Sequence, residues 1–119
     1  MNYQFKFYQV FERDIKELKK KYPHVKEDFD DFINNIQNHL SSNFTPIANQ
    51  KGKLWKSRMK SSDMAAGESG GFRIISYYNR DKSPEEIIFV RIYAKPKIKD
   101  LKDKSLRELV KIIEAILDK

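Results

Sequence analysis

Hydrophobic residues at the start of the chain first follow the period of a strand and then that of a helix. Aromatic residues at positions 3, 5 and 7 alternate with polar ones, which predicts a half-buried strand. A first helical stripe follows and ends before Pro23, because a proline pushes the preceding residue out of the helical region. It consists of Phe11, Ile15, Leu18 and Tyr22. The second stripe is formed by Val25, Phe29, Phe32, Ile33, Ile36 and Leu40. We therefore expect a strand followed by an antiparallel helical hairpin.

The remainder of the chain predicts three strands and a last helix. Residues 41–53 contain many helix and strand breakers and are expected to form a loop. Ser105 and Glu108 have the spacing of a capping box, which predicts the start of a helix whose apolar stripe extends to Leu117. The predicted strands, rich in β-branched and aromatic residues, cover 54–60, 72–78 and 87–93, and are separated by a Ser- and Gly-rich loop at 61–71 and a turn at 79–84.

The order β-α-α-β-β-β-α predicts an α+β domain with a small antiparallel sheet that carries its helices on one face. Side chains alternate across a strand. If Trp55, Met59, Phe72 and Ile74 pack on the helices, the opposite face is uncovered, and the basic side chains that project from it are Lys56, Arg58 and Arg73. The third of these strands is apolar on both faces, so alternation cannot orient Arg91 and Tyr93.

Composition narrows the class of protein. A length of 119 residues fits one domain, 1–119, and 15 aromatic residues are too many for a disordered chain. The chain has no cysteine, which excludes a disulfide framework and a cysteine nucleophile. No apolar run is long enough to cross a membrane, and the first residues lack the apolar region of a signal peptide. We therefore expect a cytoplasmic protein.

The excess positive charge is concentrated in the middle of the chain. The net charge is +7, and residues 51–97 hold 11 cations and 5 anions, whereas residues 1–50 hold 7 of each. The segment 51–60 contains five cations and no acid. Clustered like charge favours a polyanionic partner such as nucleic acid, although a solvated basic face without a partner has the same pattern. The further cations expected to contact RNA are Lys51, Lys53, Lys60, Arg91 and Lys97.

Converging lysines and arginines suit the chemistry of a phosphodiester. Arginine offers a planar fork to phosphate oxygens, and crowding by other cations lowers the pKa of a lysine. Cleavage of RNA requires deprotonation of the 2′-hydroxyl, neutralisation of the phosphate and protonation of the leaving oxygen. The spacing alone leaves RNA binding without cleavage open.

Other chemistries have weaker signals. His24 and His39 lack further ligands at zinc spacing, which favours ordinary helix or turn positions. Residues 67–71 are rich in glycine but lack the ending of a phosphate-binding loop and precede a strand. The acids at positions 28, 30 and 31 suit a solvated helix start better than a metal site. Trp55 could stack on a base, but alternation favours the core. We therefore expect neither a metal nor a cofactor.

Three segments resemble the RelE/HigB toxins of bacterial toxin–antitoxin pairs. They are Lys56-Ser-Arg58-Met, then Gly67 to Tyr78 with its Gly-Gly-Phe-Arg73, and then Ile87 to Lys95, followed by Lys99-Asp-Leu and a closing helix. The resemblance implies a fold similar to microbial ribonucleases. It also implies a toxin that binds the ribosomal A site and cuts the mRNA there by in-line attack of the 2′-hydroxyl, without a metal, until a cognate antitoxin neutralises it.

The resemblance assigns phosphate-handling and proton-transfer roles to basic positions at Lys56, Arg58 and Arg73. The family's second basic position is a lysine that acts as the general base, whereas Arg58 stays protonated at ordinary pH. Lys56 or Glu68 are the alternatives for the base.

The general acid is also unassigned, because the family's C-terminal tyrosine has no counterpart here. Tyr93 and Lys95 are the candidates for this role. A non-cleaving ParE-like inhibitor of DNA gyrase is the alternative function. The basic trio favours the nuclease, because the gyrase inhibitors generally lack such a set.

Overall fold

The computed structural model describes residues 3–36, 44–64, 71–94 and 103–117. A short strand and a helical hairpin come first, four strands follow, and a helix comes last. The elements are β1 (Gln4–Phe7), α1 (Gln9–Lys19), α2 (Val25–Ile36), β2 (Phe44–Pro46), β3 (Leu54–Met59), β4 (Phe72–Asn79), β5 (Glu86–Ala94) and α3 (Asp103–Leu117). The α+β class is confirmed. None of the helices in these ranges has the length and apolar character needed to cross a bilayer.

The sheet is mixed, so the prediction of a purely antiparallel sheet is wrong. Its strand order is β1-β5-β4-β3-β2, and every neighbouring pair is antiparallel except β1 and β5. Phe5 of β1 lies beside Ile87 and Phe7 beside Phe89 in a parallel register. The helical hairpin makes this pairing possible, because it separates β1 from the later strands along the chain. β5, the last strand in the sequence, can then lie parallel to β1, the first. Hydrophobic alternation specifies a face of a strand but not the direction of its neighbour.

Helices cover both faces of the sheet, so the prediction that one face is uncovered is also wrong. One cluster joins α1 and α2 to side chains such as Met59, Phe72 and Ile74. Trp55 packs against this cluster, as predicted. A second cluster, on the opposite face, joins α3 to the alternate positions of the same strands. Its buried members are Leu54, Ile75, Tyr77, Ile88, Val90, Tyr93, Leu106 and Ile113.

Three local predictions differ from the structure. Residues 44–46 form β2 rather than loop, because they pair with β3 and place Phe44 opposite Ser57. The pairing of this edge strand outweighs its low intrinsic propensity. Helix α3 begins at Asp103, so Ser105 lies inside the helix and does not cap it. Helix α1 ends at Lys19, before Tyr22 of the predicted stripe.

Candidate active site

Three adjacent strands bring Arg58, Arg73 and Tyr93 into one row across the sheet. Arg58 of β3 pairs directly with Arg73 of β4, which pairs with Tyr93 of β5. Residues directly opposite in antiparallel strands have Cβ atoms about 5 Å apart and point to the same face. We call Arg58, Arg73 and Tyr93 the arginine row. The pairing joins segments that are far apart in the sequence.

Lys56 lies on the same face as the arginine row, one pleat away. It is two residues before Arg58 and pairs with Ile75. Its side chain is half-buried. The alternation of the sequence therefore predicted correctly that Lys56, Arg58 and Arg73 share a face of the sheet.

The degree of exposure changes sharply along the arginine row. Arg58 is exposed, but Arg73 retains only 3% of its accessible surface and Tyr93 only 5%. The expectation that Arg73 projects from an uncovered face is therefore wrong. Arg73 lies on a central strand, on the face that α3 covers, and its Nη1 donates to the carbonyl of Phe72 at 3.3 Å. Burial holds this guanidinium in place, so it cannot act as a mobile surface cation.

A cleft adjoins the exposed end of the row. It has a volume of about 350 Å³ and lies between α2 and the end of β3, with Arg58 and Lys60 on one side and Asp28 and Asp31 on the other. The two acids offset the two cations, so this cleft has no strong preference for an anion. Asp28 also accepts hydrogen bonds from the backbone and the hydroxyl of Ser62, at 2.9 Å in both cases.

A second contact fixes the segment that follows β3. The backbone N–H of His24 donates to one oxygen of Asp63, and the ring Nδ1 is 2.8 Å from the other. The hydrogen bond to Asp63 raises the pKa of His24, and the two hydrogen bonds from His24 lower the pKa of Asp63. His24 is thus part of an exposed structural clasp.

The remaining sequence candidates occupy varied environments. Lys51 and Lys60 are exposed, and Lys53 forms an ion pair of 2.7 Å with Glu114. Arg91 is bound by Asp14 of α1 at 2.8 Å. Glu68, Lys95, Lys97 and His39 lie outside the described residues, as do residues 65–70 of the glycine-rich loop.

Trp55 occupies a structural position. It is partly buried against the cluster formed with α1 and α2, and its Nε1 donates to the carbonyl of Gly52 at 2.9 Å. The guanidinium of Arg80 lies 5.8 Å from the centre of its ring and 5.0 Å from that of Tyr78. These contacts support the interpretation of Trp55 as a core residue.

The arginine row suits an anion. Like charges directly opposite in a sheet repel each other, and a phosphate between Arg58 and Arg73 would offset this repulsion while accepting hydrogen bonds from both guanidinium groups.

Over the ranges that the structure covers, no cluster of His, Cys, Asp and Glu could hold a metal ion. The chain matches no protein-family model, and a search of curated proteins finds no relative either.

Proposed function

We propose that this chain is the toxin of a type II toxin–antitoxin pair and cuts mRNA on the ribosome. The observation that carries the proposal is the direct pairing of Arg58 with Arg73, with Lys56 on the same face. Two neighbouring guanidinium groups, of which that of Arg73 is held in place by burial, would stabilise the charge that accumulates on the phosphate as the 2′-hydroxyl attacks it. The segments that resemble the RelE/HigB toxins contain these same residues.

The roles proposed for the individual residues differ with the burial of their side chains. Arg73, buried and held by its strand, binds a non-bridging phosphate oxygen with little loss of conformational entropy. Arg58, which is exposed, reaches the same phosphate from its outer side. Lys56 is the candidate in the described part of the chain for accepting the 2′-hydroxyl proton, and Tyr93 for donating one to the leaving oxygen. Glu68 and Lys95 remain alternatives for these two transfers.

We expect cleavage to depend on the ribosome, because Arg58 stands where the RelE/HigB toxins have a lysine as the general base. Arg58 remains charged and cannot act as a base, so the site needs a substrate that is held in an attacking geometry. A translating ribosome can supply this by presenting the message in its A site. We therefore expect little cleavage of naked RNA and none of DNA.

The decisive experiment is translation of a reporter message in the presence of the purified protein, with mapping of the 5′ ends of the fragments. The wild type should produce discrete cuts, and Arg73→Ala and Arg58→Ala should each reduce them by about 100-fold or more. Arg13→Ala removes an exposed arginine of α1 and is the matched control. Because Arg73 is buried, thermal unfolding must show that Arg73→Ala is folded. If Arg73→Ala does not fold, Arg58→Ala still tests the proposal, because Arg58 is exposed.

Two results would contradict the proposal of a ribosome-dependent nuclease. Intact messages together with inhibition of DNA supercoiling by gyrase would assign the chain to the ParE-like alternative. Equal cleavage of naked and ribosome-bound RNA would remove the ribosome from the mechanism.

Neutralisation by a cognate antitoxin is part of the proposal. An acidic segment would complement the net charge of +7. It could cover the basic face directly or act by moving α3, which packs on the same face through Leu106 and Ile113. Hydrogen exchange with and without the partner tests this: protection should include β3 and β4 or α3. Protection restricted to residues 8–40 would contradict both modes.

A further inference from the structure

A second cationic site lies at the end of β3 opposite to the arginine row. The loop between β2 and β3 and one side of α3 enclose a cavity of about 210 Å³. We call it the loop–helix pocket. The polar and charged residues that line it include Gln50, Lys51, Lys53, Arg107, Lys111 and Glu114. Of these residues, the sequence predicted only Lys51 and Lys53 as cations that contact RNA.

The pocket keeps a strongly positive charge even though Glu114, the acid that lines it, forms an ion pair with Lys53. Glu114 accepts a hydrogen bond from Lys53 at 2.7 Å and another from the hydroxyl of Tyr77 at 2.9 Å. The hydrogen bond from Lys53 is the largest cause of the lowered pKa of Glu114, so this carboxylate stays ionised. Its Oε2 accepts both hydrogen bonds. Three cations are left over. In the described part of the chain, no carboxylate forms an ion pair with Lys51, Arg107 or Lys111.

A buried amide adds a directional donor to this charge. Gln50 lines the pocket and is only 4% exposed. Its Nε2 is buried and has no hydrogen-bond acceptor among the described residues. A buried N–H without an acceptor lowers stability, so the fold bears the cost of this unfavourable group at a cationic cavity. An anionic oxygen bound there would remove that cost.

The pocket is formed before any ligand arrives. The backbone N–H of Lys53 donates to the carbonyl of Gln50 at 3.0 Å, and that of Ile47 donates to Leu54 at 2.9 Å. The indole of Trp55 closes the loop through its bond to Gly52. Gly52 has a φ of 74°, a conformation that glycine adopts without strain. A loop held in this way loses little entropy when it binds an anion.

We propose that the loop–helix pocket binds a backbone phosphate of the RNA whose scissile phosphate occupies the arginine row. This inference rests on the proposed function for the identity of the RNA. Lys51, Arg107 and Lys111 neutralise the phosphate, and the amide of Gln50 donates to one of its oxygens. The pocket positions the RNA and takes no part in proton transfer.

The separation of the two sites fits a single strand of RNA. Lys53 and Arg58 are five residues apart along an extended segment, which spans about 17 Å at about 3.3 Å per residue. A stacked strand rises about 3.4 Å per nucleotide. The two phosphates are therefore about five nucleotides apart in a stacked strand and fewer in an extended one.

The experiment measures binding of RNA that cannot be cleaved because its 2′-hydroxyls are methylated. Two oligonucleotides are compared: one of about ten nucleotides, long enough to reach both sites, and a trinucleotide. The double variant Arg107→Ala/Lys111→Ala should weaken binding of the longer RNA about tenfold. It should also reduce the slope of log K against log salt concentration by about 1–2, because fewer counterions are released. It should leave binding of the trinucleotide unchanged. Lys16→Ala/Lys19→Ala, which removes two exposed charges from α1, is the matched control.

A second variant separates binding from folding. Gln50→Met removes the amide and keeps the bulk of the side chain. It should leave the thermal midpoint unchanged or higher, because a buried donor without an acceptor has been removed, yet weaken binding of the longer RNA several-fold. A loss of stability together with unchanged RNA binding would show a purely structural role for Gln50.

The side-chain amide signal of Gln50 in NMR spectra identifies the ligand. It should shift with the longer RNA and much less with inorganic phosphate at the same phosphate concentration. Equal shifts would assign the pocket to free phosphate compounds, and a shift with a Glu-rich peptide but not RNA would assign it to an acidic protein; either result overturns the proposal. Because no cleavage is measured, a failure of the proposed nuclease function would leave these results interpretable.

Discussion

The carboxylate of Asp14 connects helix α1 to the edge of strand β5 through Arg91 and its neighbour. Its Oδ2 accepts hydrogen bonds from Arg91 Nε at 2.8 Å and from the backbone N–H of Ile92 at 3.1 Å, and its Oδ1 accepts from Arg91 Nη2 at 3.2 Å. Strand β1 pairs with β5 only as far as Phe89. Asp14 thus satisfies a strand-edge donor beyond the end of β1, and Arg91 has a structural role.

We expect Asp14→Ala to lower the free energy of unfolding by about 1–3 kcal/mol, because it leaves the half-buried guanidinium and an edge N–H without their acceptor. Urea denaturation measures this loss. Asp31→Ala, at an exposed position in the middle of α2, is the control and should change stability by less than about 0.5 kcal/mol. Similar losses in both variants would show that Asp14 is not a specific anchor.

Arg91→Ala should lower stability for the same reason while leaving the affinity for uncleavable RNA within about twofold of the wild type. A large loss of RNA affinity in a variant of normal stability would support the prediction from the sequence that Arg91 binds RNA. Anisotropy titrations at low salt make the comparison.

The opposed arginines of the row predict an increase in stability when one of them is removed. Arg58→Gln should raise the free energy of unfolding by about 0.2–1 kcal/mol, because it relieves repulsion with Arg73 across the strands. The gain should shrink between about 20 mM and about 500 mM salt, since counterions screen the repulsion. Arg13→Gln should show no such gain. If Arg58→Gln is less stable than the wild type at low salt, the repulsion is not present in the folded protein.

The clasp between His24 and Asp63 predicts a pH dependence of stability. The pKa of His24 is raised above 6.5, so its contribution is complete below that pH and disappears as pH rises through the folded pKa. The pKa of Asp63 is lowered below 3.8, so its contribution is present above that pH and disappears as pH falls. The clasp is therefore strongest between about pH 4 and about pH 6.5.

Denaturation of wild type and His24→Ala tests this window. The difference in stability should be larger at about pH 5.5 than at about pH 8. The backbone hydrogen bond of residue 24 to Asp63 survives the substitution, so it does not contribute to the difference. Asp63→Asn removes the charged hydrogen-bond acceptor that is the largest cause of the raised pKa of His24, so in that background the pH dependence should be much weaker, with only the charges of Glu27 and Asp28 still raising this pKa. A difference that is constant over this range would contradict the clasp.

Two buried serine hydroxyls without hydrogen-bond partners predict that replacing one of them does not lower stability. The hydroxyls of Ser57 and Ser76 are buried and have no hydrogen-bond partner among the described residues. Ser76→Ala should leave stability unchanged or raise it by about 1 kcal/mol, because it removes a polar group that the fold does not satisfy. Ser62→Ala, which removes an exposed hydroxyl bonded to Asp28, should instead lower stability slightly. Thermal unfolding distinguishes the two directions.

The sequence by itself determined which segments form the longer elements and which side chains share a strand face. Period-two and helical spacing located β1, both hairpin helices, β3, β4 and α3, because burial of one face imposes these periods on the sequence. β5 was located by its β-branched and aromatic residues, since it is apolar on both faces. Alternation likewise placed Lys56, Arg58 and Arg73 together, once β3 and β4 were taken as neighbours. These features depend on residues close in the chain.

Only the tertiary structure decided how the faces are covered. The apolar character of β5 on both faces was the signal that α3 covers the second face, but the same run fits any doubly buried strand. The parallel pairing of β1 with β5, the burial of Arg73 and the pairing of Asp14 with Arg91 all join residues far apart in sequence. No local period encodes such contacts. The loop–helix pocket depends on the same kind of contact, because Gln50 and Arg107 meet only when α3 packs against the sheet.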